Sequence, residues 1–157
     1  MSVRKSEVTM ANDVGAAGRG RATWRYTLAA VLSLIGLADA IYLTVEHLTG
    51  RGVRCTVVAG CSEVLSSPYA TPGGVPLAAI GAAAYFSAFS CATLAAFGYR
   101  RAQTLLAVIV VPMFIVTLGL LFIQTFVLRA FCDYCLLSAA VTLCLTVIIA
   151  TRLMQRH

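Results

Sequence analysis

Four long apolar runs divide the chain: Trp24 to Leu48, Val75 to Tyr99, Ala102 to Leu128 and Cys132 to Leu153. Each reaches the ~20 residues that a membrane-crossing helix requires. The stretches between them are polar or rich in turn residues. The pattern predicts an all-α integral membrane protein, a four-transmembrane-helix bundle over residues 24–153. Residues 1–23 are polar, rich in Gly, Ala and Arg and without apolar periodicity, which predicts a disordered tail. Residues 154–157 form a second short tail. The second run is rich in small residues (Ala78, Ala79, Gly81, Ala82, Ala83, Ala84). Such residues let membrane helices approach closely, so this span is expected inside the bundle. Arg100-Arg101 reads as a very short turn, and Pro112 as a kink in the third span.

Composition agrees with the pattern. The chain has 157 residues, 60% of them hydrophobic and 11% charged, with a mean hydropathy of +0.88. Soluble domains are about 45–50% apolar and about 25% charged. The formal charge of +6 does not gather on one element, so no nucleic-acid partner is expected. It follows the membrane instead. Arg4, Lys5, Arg19, Arg21, Arg25, Arg100, Arg101, Arg152 and Arg156 fall on one side of the four spans, and Arg51, Arg54 and Arg129 on the other. An excess of basic residues marks the cytoplasmic side. Both termini are therefore expected in the cytoplasm, and residues 49–74 and 129–133 outside it. The competing reading of the first run is a signal peptide, with Leu28 to Leu37 as its core and Ala38-Asp39-Ala40 as an A-x-A cleavage site. The apolar pattern continues past that point through Ile41-Tyr42-Leu43-Thr44-Val45, which favours a span.

Six cysteines remain to be sorted. Cys91 and Cys144 lie well inside spans, where a free cysteine acts as a small hydrophobe. Cys55, Cys61, Cys132 and Cys135 all fall on the outer side, where disulfide chemistry is permitted. Cys132 and Cys135 form a C-x-x-C at the start of the fourth helix, where the helix dipole favours thiolate. Cys55 and Cys61 lie in a loop. A mobile pair and a fixed pair suit electron relay by thiol–disulfide exchange. Three readings compete with it. Two static disulfides are one, although a bridged C-x-x-C closes almost no chain. A four-cysteine metal site in a membrane scaffold is another, although C-x5-C is outside the usual zinc spacing. Copper transport is the third, although no Met- or His-rich path accompanies the cysteines. Within the loop, Gly60 to Ser67 predicts a short helix stopped by Pro68, with Cys61 at its start. Tyr69 to Pro76 is a turn-rich entry to the second span.

Four segments together resemble the vitamin K epoxide reductase family, in its bacterial quinone-linked, disulfide-forming branch. They are Gly36-Leu37-Ala38-Asp39-Ala40-Ile41-Tyr42-Leu43-Thr44, Cys55-x5-Cys61-Ser62-Glu63-Val64-Leu65-Ser66-Ser67, Val75-Pro76-Leu77-Ala78-Ala79-Ile80-Gly81 and Phe131-Cys132-Asp133-Tyr134-Cys135. The resemblance covers about residues 28–150. It implies a four-helix bundle around a quinone (menaquinone or ubiquinone), with no metal. It also implies a relay. Cys61 would take electrons from a reduced thioredoxin-fold partner, Cys55 would pass them to Cys132, and Cys135 would face the quinone. Ser67 matches a serine beside the quinone head group.

Many bacterial members carry a fused thioredoxin-like domain after a further span. The sequence ends at His157 without one, so a separate extracytoplasmic partner of the DsbA kind is expected. Ala139 stands where animal members have a tyrosine that contacts vitamin K, and the asparagine of their second helix has no clear equivalent near Leu77-Ala78. Both differences favour quinone reduction over epoxide reduction proper. An unrelated four-helix thiol oxidase of the DsbB kind has its C-x-x-C in the first outer loop, the reverse of the order here.

A quinone ring needs an apolar pocket and its carbonyls need donors. Gln124, about two turns before Cys132, is a candidate, with Phe114, Thr117, Leu120 and Leu121 on the same helix. Asp39 is a candidate because an ionisable group within a span is functional by default. It is expected either to hydrogen-bond Tyr42 or a neighbouring helix, or to handle protons.

Overall fold

The computed structural model describes residues 2–50, 61, 64, 66 and 70–154. Its helices are α1 (Ser2–Leu48), α2 (Leu77–Ala96), α3 (Arg100–Phe122) and α4 (Asp133–Met154). A π-helical stretch, Ile123–Leu128, prolongs α3. Among the described residues, four segments are long and apolar enough to cross a membrane: Thr23–Leu48, Leu77–Ala96, Arg100–Leu128 and Asp133–Arg152. The all-helical bundle expected from the hydrophobic pattern is thus the observed fold. α1 begins upstream of its span and runs through the stretch whose composition suggested a tail. That stretch is rich in helix formers such as Ala, Arg and Met but carries no apolar stripe.

The interior is built from small residues. Along α1 the buried positions are Tyr26, Ala29, Ser33, Gly36, Asp39, Ala40 and Leu43, one stripe at helical spacing. Along α2 they are Tyr85, Ala88, Ala92 and Ala95, with the same spacing. These two stripes face each other, and a Cβ on Gly81 would sit 4.0 Å from that of Ala40. The larger side chains Val31, Leu34, Ile35, Phe86 and Leu94 point outward. Lipid solvates them as well as a protein core would, so close packing decides what goes inside. Leu106 and Val110 of α3 and Val141, Leu145 and Ile149 of α4 complete the core.

The turn between α2 and α3 falls at Phe97–Tyr99. Gly98 takes a left-handed φ of 95°. Its N–H donates to the Ala95 carbonyl, and the Tyr99 N–H donates to that of Leu94, which is a Schellman stop. Arg100 and Arg101 therefore open α3 and are not the turn. Arg100 and Arg152 line one shallow depression at this end of the bundle, and the Arg152 guanidinium lies 5.9 Å from the Tyr26 ring centre. α3 runs continuously through Pro112. Its break in regularity comes later, at Ile123–Leu128.

Tyr85 ties α2 to α4. Its hydroxyl lies 3.0 Å from the Ser138 carbonyl, 2.8 Å from Ser138 Oγ and 2.9 Å from Thr142 Oγ1. Thr142 Oγ1 also donates to the Ser138 carbonyl at 2.9 Å, so it keeps a partner if the phenol is lost. Tyr85→Phe retains the ring and is expected to cost only about 0.5–1.5 kcal/mol. Thermal unfolding in detergent should show a small drop in midpoint; a collapse of the fold would contradict this assignment.

Candidate active site

The cysteine end of the bundle is shaped by an irregular backbone. The π-helical stretch ends at Arg129, which has a left-handed φ of 50°. The N–H groups of Arg129 and Ala130 both donate to the Gln124 carbonyl. The chain then enters α4 at Asp133, with Cys132 immediately before the helix and Cys135 in its first turn. The Cys132 carbonyl accepts the Leu136 N–H at 3.0 Å.

Cys132 is fully buried and packs in one cluster with Leu43, Cys61, Val64 and Ala130, against which Ala78, Leu128, Tyr134 and Cys135 rest. Cys61 and Val64 are helical, and Ser66 lies at a turn. Cys61 is only 2% exposed. The loop cysteine and the helix-end cysteine therefore share a packed interior. Cys61 is disulfide-bonded, whereas Cys132 and Cys135 are free thiols. Cys55, Ser67 and the rest of the expected loop helix lie outside the described residues. Cys91 and Cys144 are free thiols within spans, Cys91 half-buried and Cys144 on the outer surface of α4.

The Cys132 thiol is lowered from 9.0 to about 7. The largest cause is the hydrogen bond from the Cys135 side chain; the backbone N–H groups of Cys135 and Tyr134 add to it, and burial opposes it. A thiol of pKa about 7 is roughly half thiolate at neutral pH, where an ordinary cysteine is almost wholly protonated. Alkylation of Cys132 by a small reagent, followed by peptide mass, should rise with a midpoint near pH 7. Cys135→Ala should move that midpoint upward. A midpoint near 9 in the unaltered protein would contradict the assignment.

A cavity of about 620 Å³ opens between α1, α2, α3 and the start of α4. Its walls are mostly apolar, with Leu43, Leu77, Ile80, Val108 and Met113 among them, and Cys135 closes one side. Of the residues expected around a quinone, Thr117, Leu120, Leu121 and Gln124 line it. Phe114 does not. Met113, Thr117, Leu120 and Gln124 follow the three-and-four spacing of one helix face; Phe114, in phase with Leu121, lies at the edge of that face.

Gln124 is 2% exposed. It turns inward while Phe122, Phe126 and Val127 point outward, an orientation set within the wide π-helical turn. Its side chain hydrogen-bonds toward Cys135, and among the described residues its Oε1 has no partner. Asp39 also lines the cavity. It is buried, and neither carboxylate oxygen has a hydrogen-bond partner among the described residues. The expected bond to Tyr42 is absent. Tyr42 is outside the cavity wall and its ring stacks against Tyr134, with centroids 5.1 Å apart.

His47, Tyr85, Ser138 and Thr142 line the cavity as well, and none was anticipated. The signal available was the four-residue spacing of Ser138 and Thr142 on one face of α4. Among the described residues no group of three or more His, Cys, Asp or Glu side chains is placed to hold a metal ion.

The geometry is that of a thiol pair whose buried member, Cys132, packs in one cluster with the loop cysteine Cys61, and whose half-buried member, Cys135, faces an apolar cavity. The family model described as the vitamin K epoxide reductase family matches residues 27–150. No individual curated protein matches the chain. With four membrane-capable helices, a C-x-x-C at the bundle mouth and a family match over most of its length, the chain belongs to the vitamin K epoxide reductase family of membrane oxidoreductases.

Proposed function

We propose that the protein is a membrane thiol–quinone oxidoreductase that reoxidises a separate, extracytoplasmic thioredoxin-fold protein and reduces a membrane quinone to quinol. The reaction supports disulfide formation in exported proteins. The observation that carries this reading is the division of the C-x-x-C pair: Cys132 packs with Cys61, and Cys135 lines the apolar cavity.

Electrons enter when the partner's dithiol reduces the loop pair, Cys55 and Cys61. Cys55 thiolate then attacks the Cys132 sulfur of an oxidised Cys132–Cys135 pair, and Cys135 leaves as thiolate. Cys61 resolves the mixed disulfide, with Cys132 as leaving group. A low thiol pKa makes Cys132 a good leaving group in that step. The reduced pair next gives two electrons to the quinone and closes again to a disulfide. Gln124 and Cys135 sit at one end of the cavity, and the apolar walls suit a quinone ring. Menaquinone and ubiquinone would both fit. Ala139, which stands where animal members carry a tyrosine, lines the same wall and supports quinone over epoxide as the substrate. In this reading the bundle lies in the cytoplasmic membrane with both termini in the cytoplasm, which the excess of basic residues at that end of the spans supports.

The test is purified protein, a reduced thioredoxin-fold protein and either short-chain ubiquinone or menadione. Partner oxidation should require both the protein and the quinone. Partner oxidation that ignores the quinone, or stoichiometric copurification of a metal with the four thiols, would replace this reading.

A further inference from the structure

We propose that Asp39 is the proton donor to the quinone, supplying the second of the two protons that quinol formation needs. This rests on the quinone-reductase reading above. The starting point is geometric. Asp39 is 8% exposed within a membrane-spanning helix, nearer its loop end, both its oxygens lack a partner among the described residues, and its side chain shares one cavity with Cys135. A bare carboxylate in such a place is costly, and a structural carboxyl would be expected to hold a hydrogen bond. A group that alternates between a neutral acid and a briefly charged base, and bonds a substrate that comes and goes, fits both facts.

The proton count supplies the need. Reduction of a quinone to a quinol takes two electrons and two protons. The pair Cys132 and Cys135 supplies both electrons when its disulfide closes. With Cys132 as thiolate and Cys135 as thiol, the pair holds only one proton. The balanced step takes Cys132 thiolate, Cys135 thiol, Asp39 carboxylic acid and quinone to the Cys132–Cys135 disulfide, Asp39 carboxylate and quinol. The S–H bond of Cys135 and the O–H bond of Asp39 break, one S–S bond forms, and two O–H bonds form on the quinone. Asp39 recovers its proton from water at the loop end of the cavity, where His47 lies on the same helix two turns away.

The other titratable groups near Asp39 do not offer the second proton as readily. On α2 the nearest is Tyr85, whose hydroxyl is already engaged with Ser138 and Thr142. At the start of α4 they are Cys132, Tyr134 and Cys135, of which the two cysteines are the electron donors and Tyr134 is stacked on Tyr42. α3 contributes Gln124, which does not titrate.

The test is a stopped-flow reaction of the pre-reduced full-length protein with menadione, comparing the unaltered protein with Asp39→Asn and Asp39→Glu from pH 5.5 to pH 9. Asp39→Asn keeps shape and volume and should lower the maximal rate of quinone reduction by ~10²–10⁴-fold, the range of a lost general acid. Its residual rate should fall as pH rises, because bulk water must then supply the proton. Asp39→Glu should recover most of the rate. Exchange between the loop disulfide and a reduced thioredoxin-fold protein should be unchanged in both variants. An unchanged maximal rate and pH profile in Asp39→Asn would overturn the proposal, and so would a rise in quinone KM alone, which would make Asp39 a binding group. If the unaltered protein itself fails to reduce menadione and short-chain ubiquinone, it is the quinone-reductase reading that fails, and the proposal with it.

Discussion

Cys135→Ala is expected to reduce quinone-dependent turnover to the rate seen without protein, a loss on the order of 10³-fold or more, as when any member of a covalent catalytic unit is removed. The reason is position as well as chemistry. Cys135 is the cysteine of the pair that lines the cavity, whereas Cys132 is fully buried with Cys61. Without Cys135 the helix end can form no internal disulfide, so two electrons have no route to the quinone. The variant should still exchange with the loop pair. A mixed disulfide between Cys55 and Cys132 should accumulate, because the exchange can start from Cys132 but cannot be completed. Peptide mapping under non-reducing conditions detects it. Full turnover in Cys135→Ala would remove the cavity-facing sulfur from the mechanism.

Gly36→Val is expected to have the largest effect on the fold. A Cβ at Gly36 would lie 2.6 Å from Cζ of Tyr85 and 2.7 Å from its Cδ1, well inside contact distance. The ring cannot swing aside freely, because its hydroxyl is fixed to Ser138 and Thr142 of α4 and the residue is 2% exposed. Overpacking of this kind costs about 1–3 kcal/mol and sometimes more. α1 and α2 would have to separate, and the cavity between them would change shape. The thermal midpoint in detergent should fall well below that of Tyr85→Phe. The two sites should also be coupled, since contacting residues depart from additivity. Gly36→Ala in a Tyr85→Ala background should cost much less than Gly36→Ala alone. Equal costs in both backgrounds would mean that the Gly36–Tyr85 contact does not set the helix spacing.

The four spans were legible because the lipid environment imposes a single crude requirement, some 20 apolar residues. The cavity face of α3 was largely legible too, since helical spacing relates Thr117, Leu120, Leu121 and Gln124; Phe114, at the edge of that face, is not in the lining. Other features depend on atoms far apart in sequence. Nothing near Gly36 announces that Tyr85, 49 positions on, will lie against it. Asp39 and Tyr42 are one turn apart, which suggested a local bond, but Tyr42 instead meets Tyr134 from another helix. Pro112 invited a kink because proline removes a backbone donor. The irregularity lies instead at Ile123–Leu128, which no local composition marks. The charges of Arg100-Arg101 mark the end of the apolar run and so suggest a turn there, whereas the left-handed Gly98 is what stops the helix.

The most direct measurement is a single turnover. Reduced protein carrying Cys55→Ser and Cys61→Ser, so that the loop pair cannot re-reduce the helix-end pair, is mixed with one equivalent of short-chain ubiquinone or menadione, quinol formation is followed by absorbance, and the product is mapped by non-reducing peptide mass spectrometry. One quinol per protein with a new Cys132–Cys135 disulfide is the predicted result. Quinol formed while Cys132 and Cys135 remain thiols, or no quinol at all from a folded and fully reduced protein, would contradict it.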